Sequence, residues 1–239
     1  AGALALKYFH ARDRLVIETK RHPADLVSEA DREVETLIRA ALGAAFPDDA
    51  LLGEEHGFTE GDSGFTWVID PIDGTRSFIR GLEFWSVQIA LMVDGELVLG
   101  VSAAPCFDET AWAVRGRGAW RDGHRLEMAE AASIDAMVLS LGNVRTLAKG
   151  PGWTRVGELV RRARRTRGYG DFYPYHRLAG GGLDAVIESD INILDIAALT
   201  VIVREAGGTC TQLDGGPITL DSTTMLAAAE PLHGRLLSF

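Results

Sequence analysis

Two aspartates separated by a proline form the most chemically suggestive feature of the chain. The stretch Trp67-Val68-Ile69-Asp70-Pro71-Ile72-Asp73-Gly74-Thr75 runs from apolar residues straight into the pair. Pro71 stiffens a turn after Asp70 so that both carboxylates can face one locus, and Gly74 lets the backbone approach a ligand closely. Carboxylates held together repel unless something positive lies between them, and hard divalent cations such as Mg2+ take oxygen ligands of this kind. A helix opening at Arg76 to Arg80 would turn the free N–H groups of Gly74 and Thr75 toward a phosphate. The plain alternative is an Asp-Gly turn closed by an aspartate cap.

Other acids stand at comparable places. Gly53-Glu54-Glu55 follows the apolar Leu51-Leu52, where the glutamates also read as solvated loop acids, and Asp195 precedes an apolar run, where it also reads as an N-cap. Asp31 lies three residues after Ser28, the spacing of a capping box. The histidines His10, His22, His56, His124, His176 and His233 form no HExxH or HxH pattern, and no GxSxG is present. Metal-carboxylate chemistry therefore has no competing motif, and His56, next to the paired glutamates, reads as a surface or supporting residue.

The elements that must position these groups follow from the hydrophobic pattern. After Ser28, the residues Val34, Leu37, Ile38, Ala41 and Leu42 recur at helical intervals until Pro47. Trp85–Val93 and Glu96–Ala103 read as strands joined by an Asp94-Gly95 hairpin, with a further strand near Ala111–Arg115. A helix is expected over Val156–Arg165, a short strand over Asp184–Glu188, and a helix over Asp195–Ala206 that stops at Gly207-Gly208. The antiparallel hairpins exclude a purely parallel doubly wound sheet, so mixed α/β layers are expected. Turn signals between residues 121 and 152 suggest an N-terminal half, 1–130, and a C-terminal half, 131–239.

Composition narrows the function classes. The 239 residues are 46% hydrophobic and 24% charged, which is globular, and the net charge of −10 disfavours nucleic acid or an anionic membrane as the main partner. No apolar run nears the roughly 18 residues of a membrane span, and the first residues turn charged too early for a signal peptide, so a cytoplasmic protein is expected. Cys106 and Cys210 lack CxxC spacing and read as small apolar residues. The cluster Arg161, Arg162, Arg164, Arg165 and Arg167 reads as a solvated helix face, with a nucleic-acid or subunit contact as the alternative.

GEE at 53–55, WVIDPIDGT at 67–75 and LDIAAL with REAGG at 194–208, preceded by DLVSEAD at 25–31, resemble in order the signature regions of the inositol monophosphatase family. The resemblance covers nearly the whole chain. It implies a layered α/β/α/β/α fold and Mg2+-dependent hydrolysis of small phosphomonoesters. By motif position it implies that Glu54, Asp70, Asp73 and Asp195, with the carbonyl oxygen of Ile72, hold two or three Mg2+ ions. It further implies that Thr75 and Asp31 orient and deprotonate the attacking water while the N–H groups of Gly74 and Thr75 hold phosphate oxygens. Asp31 keeps its alternative as a capping residue.

Asp73, Asp171 and Glu188 are the expected substrate contacts. Glu188 matches the position from which family members contact substrate hydroxyl or amine groups, its alternative being a polar strand-end residue. The run Arg167 to Tyr175, with SFIRG at 77–81 and VIVREAGGT at 201–209, resembles most closely the histidinol-phosphate phosphatase branch, whose substrate carries an amine and an imidazole suited to carboxylates. Inositol monophosphate is the alternative substrate, and the alternative reading of the aromatic run is core packing, with Asp171 making an ordinary loop hydrogen bond. Two departures bear on the substrate: Leu194 stands where the family usually has tryptophan, and Glu83 where this branch often has proline. The resemblance also carries expectations of a homodimer, of lithium sensitivity and of a place in histidine biosynthesis. A regulatory, non-enzymatic member of the same fold is the alternative from another class, with the arginine cluster as its footprint.

Overall fold

A computed structural model describes residues 1–15, 17–19, 26–131 and 133–239; His22 and the Asp25 of DLVSEAD lie outside the described residues. Helix α1 (Gly2–His10) precedes a ribbon of β1 (Ile17–Thr19) and β2 (Leu26–Ser28). Ser28 then caps α2 (Glu29–Ala45) with Asp31 at N3, the capping box that the spacing predicts.

A larger sheet follows, built from β3 (Ala50–Gly53), β4 (Gly57–Thr59), β5 (Phe65–Asp73) and, after the short helix α3 (Thr75–Ile79), β6 (Ser86–Val93), β7 (Glu96–Ala104), β8 (Glu109–Val114), β9 (Ala119–Arg121) and β10 (His124–Leu126). Its order is β10-β9-β8-β7-β6-β5-β3-β4. Strands β5 to β10 form an antiparallel meander, and β3 joins β5 in parallel. The expected hairpin between β6 and β7 turns at Asp94 and Gly95, both with positive φ.

The rest of the chain forms β11 (Val138–Leu141), α4 (Val144–Lys149), α5 (Trp153–Arg162), β12 (Arg165–Arg167), α6 (Tyr173–Ala179), β13 (Ala185–Ser189), α7 (Ile193–Glu205), β14 (Gly208–Thr211), β15 (Thr224–Ala229) and α8 (Leu232–Leu237). The smaller sheet has the order β12-β11-β13-β15-β14. The helix expected over Val156–Arg165 ends at Arg162, because Arg165–Arg167 pairs with β11 as an edge strand. The arginine cluster is therefore divided between a helix end and a strand, and is not one helix face.

Three apolar layers hold these pieces together. Ala5, Phe9, Val34 and Ile38 of α1 and α2 cover Trp67, Ile69 and Val87 on one face of the larger sheet. Its other face, with Val68, Ala90, Ala111 and Ala113, packs on α6 and α7, which in turn cover Val186, Met225 and Ala227 of the smaller sheet. The far face of that sheet, Leu139, Ile187 and Leu226, is covered by α4, α5 and α8. The order is α/β/α/β/α, as expected. Alternation along the strands fixes which side chains face the middle layer: on β13, Ala185 and Ile187 point outward while Val186 and Glu188 point toward α6 and α7. Both cysteines are free and sit against apolar clusters, Cys210 fully within one.

Candidate active site

Residues three apart on a regular strand point to opposite faces, so Asp70 and Asp73 need a break in register to act together. The break is present. On the β5–β6 ladder Asp70 pairs with Gln88 and Asp73 with Ser86, so three residues of β5 keep pace with two of β6. Gln88 and Ser86 share a face, and the irregularity at Pro71–Ile72 brings Asp70 and Asp73 onto that same face. The aspartates thus belong to a bulged strand that runs through Asp73, where the sequence suggested a turn after Asp70.

Asp195 reaches the same point from the middle layer. It is not the N-cap of α7: Asn192 holds that position, its side chain accepting the amide of Leu194, and Asp195 occupies N3. The cap moves because Asn192, three residues earlier, has the extended backbone a cap requires. Carboxylate oxygens of Asp70, Asp73 and Asp195 lie within 4.8 Å of one another. Glu54, just beyond β3, lines the same cavity of about 480 Å3 together with Asp73, Gly74, Thr75, Asp171 and Glu188.

Helix α2 supplies the next group. Thr75 Oγ1 lies 3.0 Å from Asp31 Oδ1 and 3.0 Å from the carbonyl oxygen of Ile72. Asp31 Oδ2 is held by the amide and hydroxyl of Ser28 at 2.8 and 2.6 Å. The capping and site readings of Asp31 are thus compatible, one carboxylate oxygen serving each. Gly74 is left-handed (φ +88), and a Cβ there would come within 2.7 Å of the Phe84 carbonyl oxygen and crowd Asp171 Cγ at 3.2 Å, so the turn against Phe84 requires glycine. Behind it, Phe78 meets Trp85 edge to face at 4.9 Å and fixes the start of α3 against the core.

The cavity is strongly anionic. Burial pushes Asp70 and Asp73 well above the usual carboxylate range, with Glu54 and Asp73 adding to the effect at Asp70 and Asp171 and Asp195 at Asp73. Burial likewise raises Asp195 to about 7, Asp171 to about 6 and Glu188 to about 8. The hydrogen bonds to Asp70 and Asp73 come from neutral donors, the Ile72 amide, Ser86 Oγ and Gln88 Nε2. A cluster of hard oxygen donors with its charge balanced by no such donor fits a divalent cation.

Glu188 receives the Tyr175 hydroxyl at 2.7 Å, and both are buried. Ser77 Oγ stands 3.4 Å from Asp171 Oδ2. The aromatic run does pack as a core element, with Phe172 and Tyr175 buried, while Tyr169 and Tyr173 gather around Phe84. Sequence reasoning missed Arg76, Asn143, Tyr175 and Asp190, which also line the cavity. Asn143, Asp171 and Asp190 all have positive φ, a conformation that collects at functional sites, but no local residue pattern announces it.

Converging carboxylates beside a helix start in an open polar cavity could hold a cation next to an anionic group. Residues 1–238 match the inositol monophosphatase family. The chain is 41% identical over 200 residues to a histidinol-phosphatase of Mycobacterium tuberculosis, covering 79% of this chain and 75% of the relative. It is 36% identical over 222 residues to a fructose-1,6-bisphosphatase/inositol-1-monophosphatase of Thermotoga maritima, covering 92% and 84%. Its fold is similar to that of the extragenic suppressor protein suhB from Bartonella henselae, with a TM-score of 0.92 at 30% identity over 99% of this chain and 92% of that one. The chain belongs to the inositol monophosphatase family and is a phosphoric monoester hydrolase.

Proposed function

We propose that the chain is a Mg2+-dependent phosphatase acting on L-histidinol phosphate. The observation that carries the substrate is the pair Asp171 and Glu188, two carboxylates lining the cavity that also contains Asp73 and Asp195. A substrate with phosphate at one end and amine and imidazole at the other is complementary to it. The likeness to the Mycobacterium tuberculosis histidinol-phosphatase supports the same choice. Inositol monophosphate is the second reading, favoured by the likeness to the Thermotoga maritima enzyme.

Glu54, Asp70, Asp73 and Asp195, with the Ile72 carbonyl oxygen, would hold the cation. When bound, it supplies positive charge at the phosphate and acidity to the attacking water. The chain's own contribution is proton handling and orientation. Thr75 Oγ1 has one proton and two acceptors within 3.0 Å. Donated to Asp31 Oδ1, that proton leaves a hydroxyl lone pair for the water, so the water's proton moves to Thr75 as the Thr75 proton passes to Asp31. The Gly74 and Thr75 amides hold phosphate oxygens, and Asp73, Asp171 and Glu188 hold the remainder of the substrate. Two or three Mg2+ per site, inhibition by Li+, a homodimer and a cytoplasmic location accompany this reading.

A phosphate-release panel tests it, comparing kcat/KM for histidinol phosphate, inositol-1-phosphate and fructose-1,6-bisphosphate in Mg2+, with wild type and Glu188→Gln side by side. Preference for histidinol phosphate that narrows in Glu188→Gln is the expected result. Equal loss on all esters in the variant would remove Glu188 from substrate selection, and preference for inositol-1-phosphate would replace the first reading by the second.

A further inference from the structure

Helix α2 meets the cavity wall at two levels. Asp31 in its first turn contacts Thr75, and Glu35, one turn further along the same face, is wholly buried. The Glu35 carboxylate gathers donors from behind the Gly53-Glu54-Glu55 turn. Its Oε2 accepts the Glu55 amide at 2.6 Å, and its Oε1 accepts the His56 amide at 3.2 Å and Arg39 Nε at 2.6 Å. Gly53 makes this approach possible, because a Cβ there would lie 1.9 Å from Glu35 Oε1. Arg39 continues the strap through the Gly57 carbonyl oxygen and, at 3.1 Å, the Thr59 hydroxyl, and Thr36 Oγ1 is 3.1 Å from His56 Nε2.

Arg39 balances the buried charge through Oε1, and the two amides that complete the hydrogen bonding of the carboxylate belong to the residues immediately after Glu54. We infer that Glu35 is a positioning residue that fixes the backbone after Glu54 and so sets the cation affinity of the site. The inference rests on the reading of Glu54 as a cation ligand. Groups that orient metal ligands from behind typically change affinity by about 10–100-fold when removed. In Glu35→Gln the side-chain NH2 must face one of three N–H donors, so at least one hydrogen bond to the turn or to Arg39 is lost.

The test is a calorimetric titration of the full chain with Mg2+, for wild type, Glu35→Gln, Gly53→Ala and Glu54→Gln, with far-UV circular dichroism and thermal unfolding in EDTA alongside. Gly53→Ala keeps the Glu35 charge but places a Cβ 1.9 Å from Glu35 Oε1 and 2.9 Å from Arg39 Nη2, so it displaces the whole strap from the amides and tests the same role should Glu35→Gln not fold. Mg2+ affinity lowered about tenfold or more in Glu35→Gln or Gly53→Ala, with turnover recovering as Mg2+ is raised, is the expected result. A purely structural Glu35 would lower the unfolding temperature in EDTA and leave Mg2+ affinity unmoved. Unchanged affinity in both variants beside a weakened Glu54→Gln overturns the role of Glu35. Unchanged affinity in Glu54→Gln overturns the ligand reading of Glu54 and the inference with it.

Discussion

Asp31 and Asp195, from the two ends of the chain, occupy the same station on two different helices: each is the N3 residue of a capping box, accepting the amide of its own N-cap residue at 2.8 Å. The cap immobilises the carboxylate, and the helix start directs it into the cavity wall. One pattern of local hydrogen bonding thus brings two acids from distant segments to one site.

This double duty separates stability from activity at Asp195. Its charge is repelled by Glu54 and Asp171, so Asp195→Asn relieves repulsion in the cation-free protein while removing a carboxylate from the cluster. Turnover is expected to fall at least about a hundredfold, whereas the unfolding temperature in EDTA stays level or rises. Steady-state phosphate release and thermal melts in EDTA check this together; a lowered melt with turnover intact would show that the residue acts only as a cap.

Thr75 offers a chemically cleaner contrast, because its hydroxyl touches both Asp31 and the Ile72 carbonyl oxygen. Thr75→Ser keeps the hydroxyl and should retain turnover within about tenfold. Thr75→Val keeps the shape, removes the proton path and should lower kcat by about 100-fold or more with little change in KM. Equal turnover in the two variants, measured at saturating substrate, would show that the Thr75 hydroxyl carries no proton in the reaction.

The raised carboxylates give the cation-free protein a distinct pH dependence. Glu188 (ordinary value 4.5, raised to about 8) and Asp195 (ordinary value 3.8, raised to about 7) contribute stability that is fully present below their ordinary values and is lost as pH rises through about 7 and 8. Melts in EDTA should therefore fall from about pH 4 to about pH 8. A divalent cation at 100 times its Kd adds about 2.7 kcal/mol, a rise of roughly 5–10 °C for a chain of this size. Melts with and without Mg2+ across that pH range decide the matter, and a shift that Mg2+ does not produce would remove the cation from the site.

Much of this site is legible in the sequence, for identifiable reasons. Asp31 is marked by its spacing from Ser28, and the β6–β7 hairpin by Asp94-Gly95, because capping and tight turns are decided within a few residues. The bulge at Pro71–Ile72 is harder to read, since register is a property of β5 and β6 together. Misassigning Asp195 as the N-cap has a similar origin: Asn192 and Asp195 are both good capping residues, and the backbone geometry chooses between them. Tyr175 and Asp190 enter the site through the packing of α6 and β13, a long-range outcome with no local signature.

The far side of α6 carries a second buried polar cluster, and it sets the acid limit of the fold. His176 Nδ1 is 2.7 Å from Glu109 Oε1, His176 Nε2 is 2.8 Å from Ser102 Oγ, and Arg177 pairs with the same glutamate. Although burial alone would raise Glu109, the hydrogen bonds from His176 and Arg177 hold it down at about 2, and burial holds His176 below its ordinary 6.5. A carboxylate lowered from 4.5 contributes stability that is present above pH 4.5 and is lost as pH falls through about 2. A histidine with a lowered value acts in the same direction, its contribution fading below pH 6.5. Both effects make the protein acid-sensitive, and both run through α6, the helix that also carries Tyr175 against Glu188. Glu109→Gln is therefore expected to be less stable than wild type at neutral pH, with the difference shrinking as pH falls from 4.5. Urea unfolding of the two proteins at a series of pH values in Mg2+ measures that difference directly, and a gap that stayed constant down to pH 3 would show that the ionised Glu109 contributes nothing specific.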